Sequence, residues 1–193
     1  MIKTICANKW FFFCIIESMY ESPDYQIVKK VDEFELRLYS TFHTVSIQES
    51  SLRGYSGFGY LFNYISGNNN TSTKMKMTVP VINDLESNEQ SMEFVIPKIH
   101  EADIPQPMDA QMKIKDYPSQ HVLVYRFSGL VNQDKLQTIM EKMTHTLSSL
   151  KMIRVGAPKI ARYNGPYTLP FLRHNEVWLN VRFLDNSDNV HTT

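Results

Sequence analysis

The sequence has few cysteines, no net charge and no long apolar run. Its 193 residues include only 2 cysteines, Cys6 and Cys14, and both lie near the N-terminus. The remaining chain has no cysteine, so the fold cannot depend on a disulfide and suits a reducing compartment. The 20 Lys and Arg residues balance 20 Asp and Glu residues. This balance argues against a nucleic-acid-binding protein that neutralises phosphates.

The longest apolar run is WFFFCII at 10–16, far shorter than the roughly 20 residues that a membrane-spanning helix requires. Three interpretations of residues 1–18 remain open: a weak secretory signal, an interfacial anchor, or a leader outside the folded core. We favour the leader, followed by one domain over 19–183 and a polar tail over 184–193. We therefore expect a cytoplasmic protein, or a secreted one if residues 1–18 act as a signal peptide.

Hydrophobic periodicity predicts two helices and eight or nine strands. In the segment 51–67, residues Tyr55, Phe58, Leu61, Phe62 and Ile65 follow helical spacing, and Gly67 ends the pattern. A second helix is predicted over 132–151 with Asn132 as its N-cap and with one apolar stripe made of Leu136, Ile139, Met140, Met143, Leu147 and Leu150. Alternating residues predict strands over 24–30, 34–39, 43–47, 74–81, 92–97, 110–117, 121–127, 158–163 and 176–181.

The order strand–strand–helix–strand–strand occurs twice, around 34–97 and around 110–182. No sequence identity marks this repeat; only the order of elements does. Two helices with eight or nine antiparallel strands predict one α+β domain with a curved, barrel-like sheet.

The segment KMKMTVPV at 74–81 has an unusual composition for a strand. Met75 and Met77 alternate with Lys74 and Lys76, so the lysines are predicted on the opposite side from the methionines. Thioethers are polarizable and pack well against aromatic rings, and the first helix supplies such rings. The pattern suits a pocket for a flat, apolar ligand, with ordinary core packing as the alternative.

Motifs of catalysis and metal binding are not found. GYSGFG at 54–59 misses the G-x-S-x-G nucleophile motif by one residue, and there is no P-loop, H-E-x-x-H or C-x-x-C. The six histidines are not spaced as a metal cluster. His43 and His121 fall on predicted strands, where a packed or hydrogen-bonded role is favoured over ligation. We expect no catalytic residues, no metal site and no enzymatic activity.

Three motifs occur in order and at matching spacing: FELRLY at 34–39, GNNNTSTKMKMTVPV at 67–81 and YNGPYTLPFLRHNEVWL at 163–179. Together they resemble the SOUL/heme-binding protein family, and the resemblance extends from Tyr20 to Val181. It implies a distorted antiparallel β-barrel of two ββαββ-like halves flanked by two helices. This agrees with the order of elements deduced from periodicity.

The resemblance also implies a function, namely non-catalytic binding of heme or another porphyrin in a hydrophobic pocket, as a carrier or buffer. The family's pocket lies between the first helix and nearby strands, and it transfers here to Tyr55, Phe58, Phe62, Met75 and Met77. An axial histidine proposed for some members falls on Leu38, which cannot coordinate iron. Protein partners are unknown. The alternatives are a protein-interaction or signalling module on the same fold and an enzyme acting on tetrapyrroles.

Overall fold

A computed structural model describes residues 20–49, 56–85 and 90–184. In these ranges the chain forms ten strands and two α-helices. The helices are α1 (Ser56–Ile65) and α2 (Gln133–Ser149). The strands are β1 (Tyr25–Val31), β2 (Phe34–Tyr39), β3 (Phe42–Glu49), β4 (Val81–Asp84), β5 (Gln90–Val95), β6 (Met112–Tyr117), β7 (Gln120–Phe127), β8 (Met152–Arg154), β9 (Lys159–Arg162) and β10 (Asn175–Phe183).

The strands form one antiparallel sheet in the order β1-β2-β7-β10-β9-β4-β5-β3-β6, with β8 paired to β10. The sheet curls into a half-barrel. Its two halves each run strand–strand–helix–strand–strand, as β2-β3-α1-β4-β5 and as β6-β7-α2-β9-β10 with the short β8 inserted. The predicted α+β class, with a distorted antiparallel barrel and two helices, is confirmed.

Both helices pack on the same face of the sheet. The registers align Leu36 of β2 with Leu123 of β7, and Ile47 of β3 with Met112 of β6, and all four side chains belong to the cores beneath the helices. The predicted stripe of α2 is confirmed: four of its six residues, Leu136, Ile139, Met143 and Leu147, are buried, and the other two, Met140 and Leu150, are partly buried against the same core. Asn132 is its N-cap and accepts a hydrogen bond from the Lys135 amide at 2.9 Å.

The opposite face of the sheet has its own core, which combines apolar side chains with buried ion pairs. Tyr39, Phe42, Val122 and Trp178 are among its buried members. The side chain of Glu176 is also buried on this face. It points the same way as Trp178, because residues two apart on a strand share a face. No described residue of the two helices belongs to this core.

The strand predicted over 74–81 is wrong for most of its length. Only Val81 belongs to a strand, β4, and residues 72–77 have no regular structure. Thr78 makes an isolated bridge with Glu21, and Pro80 has no N–H to donate to a ladder. Residues 74–77 therefore lie beside the end of α1, where the Met75 amide donates to the Ile65 carbonyl, and do not join the sheet.

Two predictions on the chain ends concern residues outside the described ranges. The leader assigned to 1–18 lies there, and so does the polar tail apart from Leu184. Within the described ranges, no helix combines the length and apolar character needed to cross a bilayer. The domain boundaries remain predictions.

Candidate functional site

The face that helix α1 packs against the core differs in part from the predicted face. Leu61, Tyr64 and Ile65 are buried, whereas Phe58 and Phe62 are 38% and 50% exposed. The predicted stripe was correct for Leu61 and Ile65 and wrong for the two phenylalanines. Tyr64 takes the core position because its ring packs with the apolar cluster while its hydroxyl donates to a buried backbone carbonyl at 2.6 Å. The phenylalanines are therefore left facing solvent.

The two exposed phenylalanines form an ordered pair. Their ring centroids lie 6.1 Å apart with planes 12° from parallel. Phe58 also meets Phe94 of β5 edge to face, with centroids 5.2 Å apart. Offset stacking and edge-to-face contacts are the favoured geometries of aromatic pairs. The pair is thus a fixed apolar ridge on α1.

The turn after α1 brings residues 74–77 back beside the helix. Gly67 has a φ of +113°, and a Cβ there would lie 3.3 Å from the Ser72 carbonyl oxygen. This backbone conformation favours glycine and ends the helix. The Met75 amide then donates to the Ile65 carbonyl at 2.8 Å, which fixes Met75 against the last turn of α1.

Asn69 holds this turn in shape. Its buried amide nitrogen donates to the carbonyls of Tyr64 at 3.0 Å and Thr73 at 2.7 Å. Its oxygen accepts from the Thr73 amide at 2.9 Å and from the amide and hydroxyl of Thr71. One side chain therefore satisfies backbone groups on both sides of the turn, and it fixes the position of the segment that starts at Lys74.

A cleft of about 300 Å³ opens between the end of α1 and this segment. Met75 is buried and Met77 is half-buried at its wall, and Phe62 contributes from the helix. The structure thus brings three of the predicted site residues together. Phe58 stands beside Phe62, and Tyr55 lies outside the described residues. The lining consists of Phe62, Ile65, Ser66, Lys74, Met75 and Met77.

Lys74 lines the cleft, which corrects the prediction that both lysines lie on the side opposite the methionines. That prediction assumed a pleated strand with strict alternation, and residues 74–77 are not in a strand. Lys76 is exposed and is not among the described residues that line the cleft. Ile65 and Ser66 were missed as lining residues, although their place just before Gly67 marks them as the end of the helix.

The strand histidines lie away from this lining. Nε2 of His43 is 3.5 Å from a carboxylate oxygen of Asp116. His121 is the cross-strand partner of Leu38, and its ring meets Phe183 edge to face with centroids 5.5 Å apart. Among the described residues, neither histidine borders the cleft. The prediction that the site has no metal ligand stays a prediction.

A buried carboxylate on the opposite face, Glu176, was also missed by the sequence analysis. Arg37 donates to both of its oxygens at 3.0 Å, and the Trp178 indole N–H donates at 2.7 Å. Nε2 of His174 lies 2.9 Å away, and the Tyr163 hydroxyl donates at 2.9 Å. Burial alone would raise the pKa of Glu176, but His174 and Arg37 lower it to about 2. The sequence feature that could have revealed it is a single acidic residue directly before the apolar residues VWL at 177–179.

Comparison with known sequences identifies the family of this chain. The family model for SOUL heme-binding protein matches residues 20–180. The chain belongs to the SOUL family. Heme-binding protein 2 from Mus musculus is 28% identical over 175 residues, covering 82% of this chain and 85% of that protein. Heme-binding protein 2 from Homo sapiens is 30% identical over 162 residues, covering 76% of this chain and 77% of that protein.

Solved structures share the architecture of this SOUL protein at low sequence identity. The C-terminal domain of EcmrR has a TM-score of 0.55 and 12% identity, covering 83% of this chain and 99% of that one. A hydrolase from Listeria innocua has a TM-score of 0.58 and 8% identity, covering 80% of this chain and 94% of that one. At such identities the likeness establishes the fold alone.

Proposed function

We propose that this SOUL protein binds heme or a related tetrapyrrole in the cleft between α1 and residues 74–77, as a carrier or buffer rather than as an enzyme. Membership of a family of heme-binding proteins supports the ligand class. The observation that carries the site is the cleft itself, where Phe62, Met75 and Met77 meet beside a lysine. A carrier needs only a surface that fits the ligand and releases it.

The chemistry of the lining fits a porphyrin. The macrocycle has a large apolar face, which suits the ring of Phe62 and the two thioethers. Its propionates are anionic, and Lys74 offers an ammonium group at the same cleft. A volume of about 300 Å³ is at the lower end for ligand pockets. The macrocycle would therefore leave one edge in solvent, and the exposed ridge of Phe58 and Phe62 would extend the contact area.

Burial supplies the affinity in this account. Each Å² of apolar surface removed from water contributes about 25 cal/mol, and an exposed aromatic ridge has such surface to lose. Heme iron would supply redox and ligand chemistry when the pigment is bound. The protein's own contribution is a rigid apolar surface and one positive charge, and this combination favours binding over catalysis.

The test is a pair of variants on the same helix. Phe62→Ser removes a ring from the cleft, and it should weaken hemin binding roughly tenfold, which equals ~1.4 kcal/mol. Tyr60→Ser removes another exposed aromatic of α1 that does not line the described cleft, and it should bind hemin as the unmodified protein does. Equal losses in both variants, or none in either, would remove the cleft from the account.

A protein-interaction role is the second candidate, and the exposed ridge favours it. Phe58 and Phe62 present two aromatic rings to solvent on one short helix, and aromatic side chains are enriched where proteins meet. A partner helix or peptide would compete with hemin for this surface. Binding of a partner with no dependence on pigment, in a protein that fails to bind hemin, would favour this second function.

A further inference from the structure

A second apolar surface lies in the loops before α2 and before β10. Tyr167 is 99% exposed, so its ring stands clear of the protein. The members share large apolar side chains and exposure to solvent, and we call them the apolar tip: Leu130, Tyr167, Leu169, Phe171 and Leu172. Because these side chains are exposed on two loops, the tip is a surface that faces solvent. None of the residues that line the cleft described above belongs to the apolar tip.

Hydrogen bonds hold the two loops of the tip together. The Gly129 amide donates to the Pro170 carbonyl at 2.8 Å. Arg173 braces the second loop, because its Nε donates to the Thr168 carbonyl at 2.8 Å and its Nη2 donates to the Pro166 carbonyl at 2.6 Å. These hydrogen bonds hold the two loops of the tip in one arrangement. Exposing the apolar side chains to water is less favourable than burying them in a core.

Cations surround the base of the tip. Nζ of Lys135 donates to the Ser128 carbonyl at 2.6 Å, beside the loop of Leu130. The guanidinium of Arg173 lies under the other loop. The two loops, 128–133 and 164–173, contain no Asp or Glu, and the acid next to them is the exposed Asp134 in the first turn of α2. The tip thus combines an apolar end with a positive base.

We propose that the apolar tip inserts into the interfacial layer of a membrane that contains anionic lipids. An exposed tip of Leu, Phe and Tyr enters the boundary between headgroups and acyl chains, where tyrosine is enriched because one end of its ring is apolar and the other is polar. Lys135 and Arg173 then lie at the level of the anionic headgroups. The binding is peripheral and reversible, since few side chains enter the bilayer.

Vesicle flotation with the full chain tests this proposal, using phosphatidylcholine vesicles with and without phosphatidylserine. The chain should float with vesicles that contain phosphatidylserine and be released by salt. Tyr167→Ser combined with Phe171→Ser should lower the partition coefficient roughly tenfold or more, because burial of apolar side chains drives insertion. Lys135→Gln keeps a donor for the Ser128 carbonyl and should weaken binding only to the anionic vesicles.

A matched control removes two exposed apolar side chains elsewhere. Ile99 and Met108 are both highly exposed, and Ile99→Ser combined with Met108→Ser should float as the unmodified chain does. Tyr167→Ser alone adds a variant with almost no packing to lose, so a folding defect cannot explain its weaker binding. Failure of the unmodified chain to float, equal flotation with neutral vesicles, or equal loss in the control would overturn the proposal. So would a dimer that the tip variant makes monomeric without any vesicle binding.

Discussion

Phe58 and Phe62 stack with their planes 12° from parallel, although both rings remain more than one third exposed. Phe58 is anchored by its edge-to-face contact with Phe94, a buried core residue. A ring held by such contacts has less side-chain entropy to lose when a ligand binds, which lowers the cost of binding. The ridge and the neighbouring cleft are therefore the surface on which we propose that a flat ligand binds.

Lys74 is expected to select ligands that carry carboxylates. Lys74→Gln should weaken binding of protoporphyrin by roughly two- to fivefold, as for a solvent-exposed ion pair worth less than ~1 kcal/mol. Lys76→Gln is the control, because Lys76 is exposed on the same segment and does not line the described cleft. Fluorescence titration with protoporphyrin and with its dimethyl ester checks this. Equal loss for acid and ester would show that the ammonium has no propionate partner.

Asn69 is expected to position the cleft without touching the ligand. Asn69→Ala removes one of two donors from the Tyr64 carbonyl, the side-chain donor of the Thr73 carbonyl and the side-chain acceptor of the Thr73 amide, at a cost of ~1–3 kcal/mol in the free energy of unfolding. Hemin affinity should fall as well, because Met75 and Met77 lose their fixed place. Asn68→Ala, at an exposed neighbouring position, should leave both quantities unchanged. Urea unfolding and hemin titration of the two variants decide the matter.

Glu176 is expected to make stability depend on acid pH. Its pKa is about 2 in the folded chain against an ordinary value of 4.5. The folded state therefore favours the ionised form, and this contribution is full above 4.5 and is lost as the pH falls towards 2 and below it. Glu176→Gln should lower the melting temperature at neutral pH and flatten its decline through this window. A Glu176→Gln curve parallel to that of the unmodified protein would contradict the assignment.

Trp178 is expected to be structural. It is 2% exposed, and its ring lies 4.9 Å from that of Tyr39, centroid to centroid. Trp178→Ala should cost ~3–5 kcal/mol in the free energy of unfolding, the range for large buried aromatics. Phe183→Ala, on the same strand but half exposed, should cost clearly less. Chemical denaturation of both variants measures the difference, and near-native stability of Trp178→Ala would contradict its place in the core.

The sequence was most informative where independent signals agreed. In α2 the apolar spacing and the Asn132 cap agree, and both were predicted. In α1 every apolar residue competed for the core, and periodicity could not tell that Tyr64 would displace Phe58 and Phe62, because that choice depends on a carbonyl acceptor in a distant loop. Tertiary context decided it.

The segment 74–77 shows a second limit. Its alternation correctly separates buried Met75 from exposed Lys76, but an extended chain has this period whether or not it joins a sheet. Two contacts position the segment: the hydrogen bond from the Met75 amide to the end of α1, and the hydrogen bond from the Asn69 side chain to the Thr73 carbonyl. The sequence does not reveal that these groups are close to one another. For this reason Lys74 was assigned to the wrong side.

The most direct test of the central claim is a parallel titration of the protein with hemin and with iron-free protoporphyrin. If apolar burial against the cleft drives binding, the two dissociation constants should agree within about one order of magnitude, which is ~1.4 kcal/mol. His43→Ala should change neither, since His43 does not line the described cleft. If hemin instead binds far more tightly and His43→Ala or His121→Ala abolishes the difference, the iron is ligated by a histidine and the account based on the cleft is wrong.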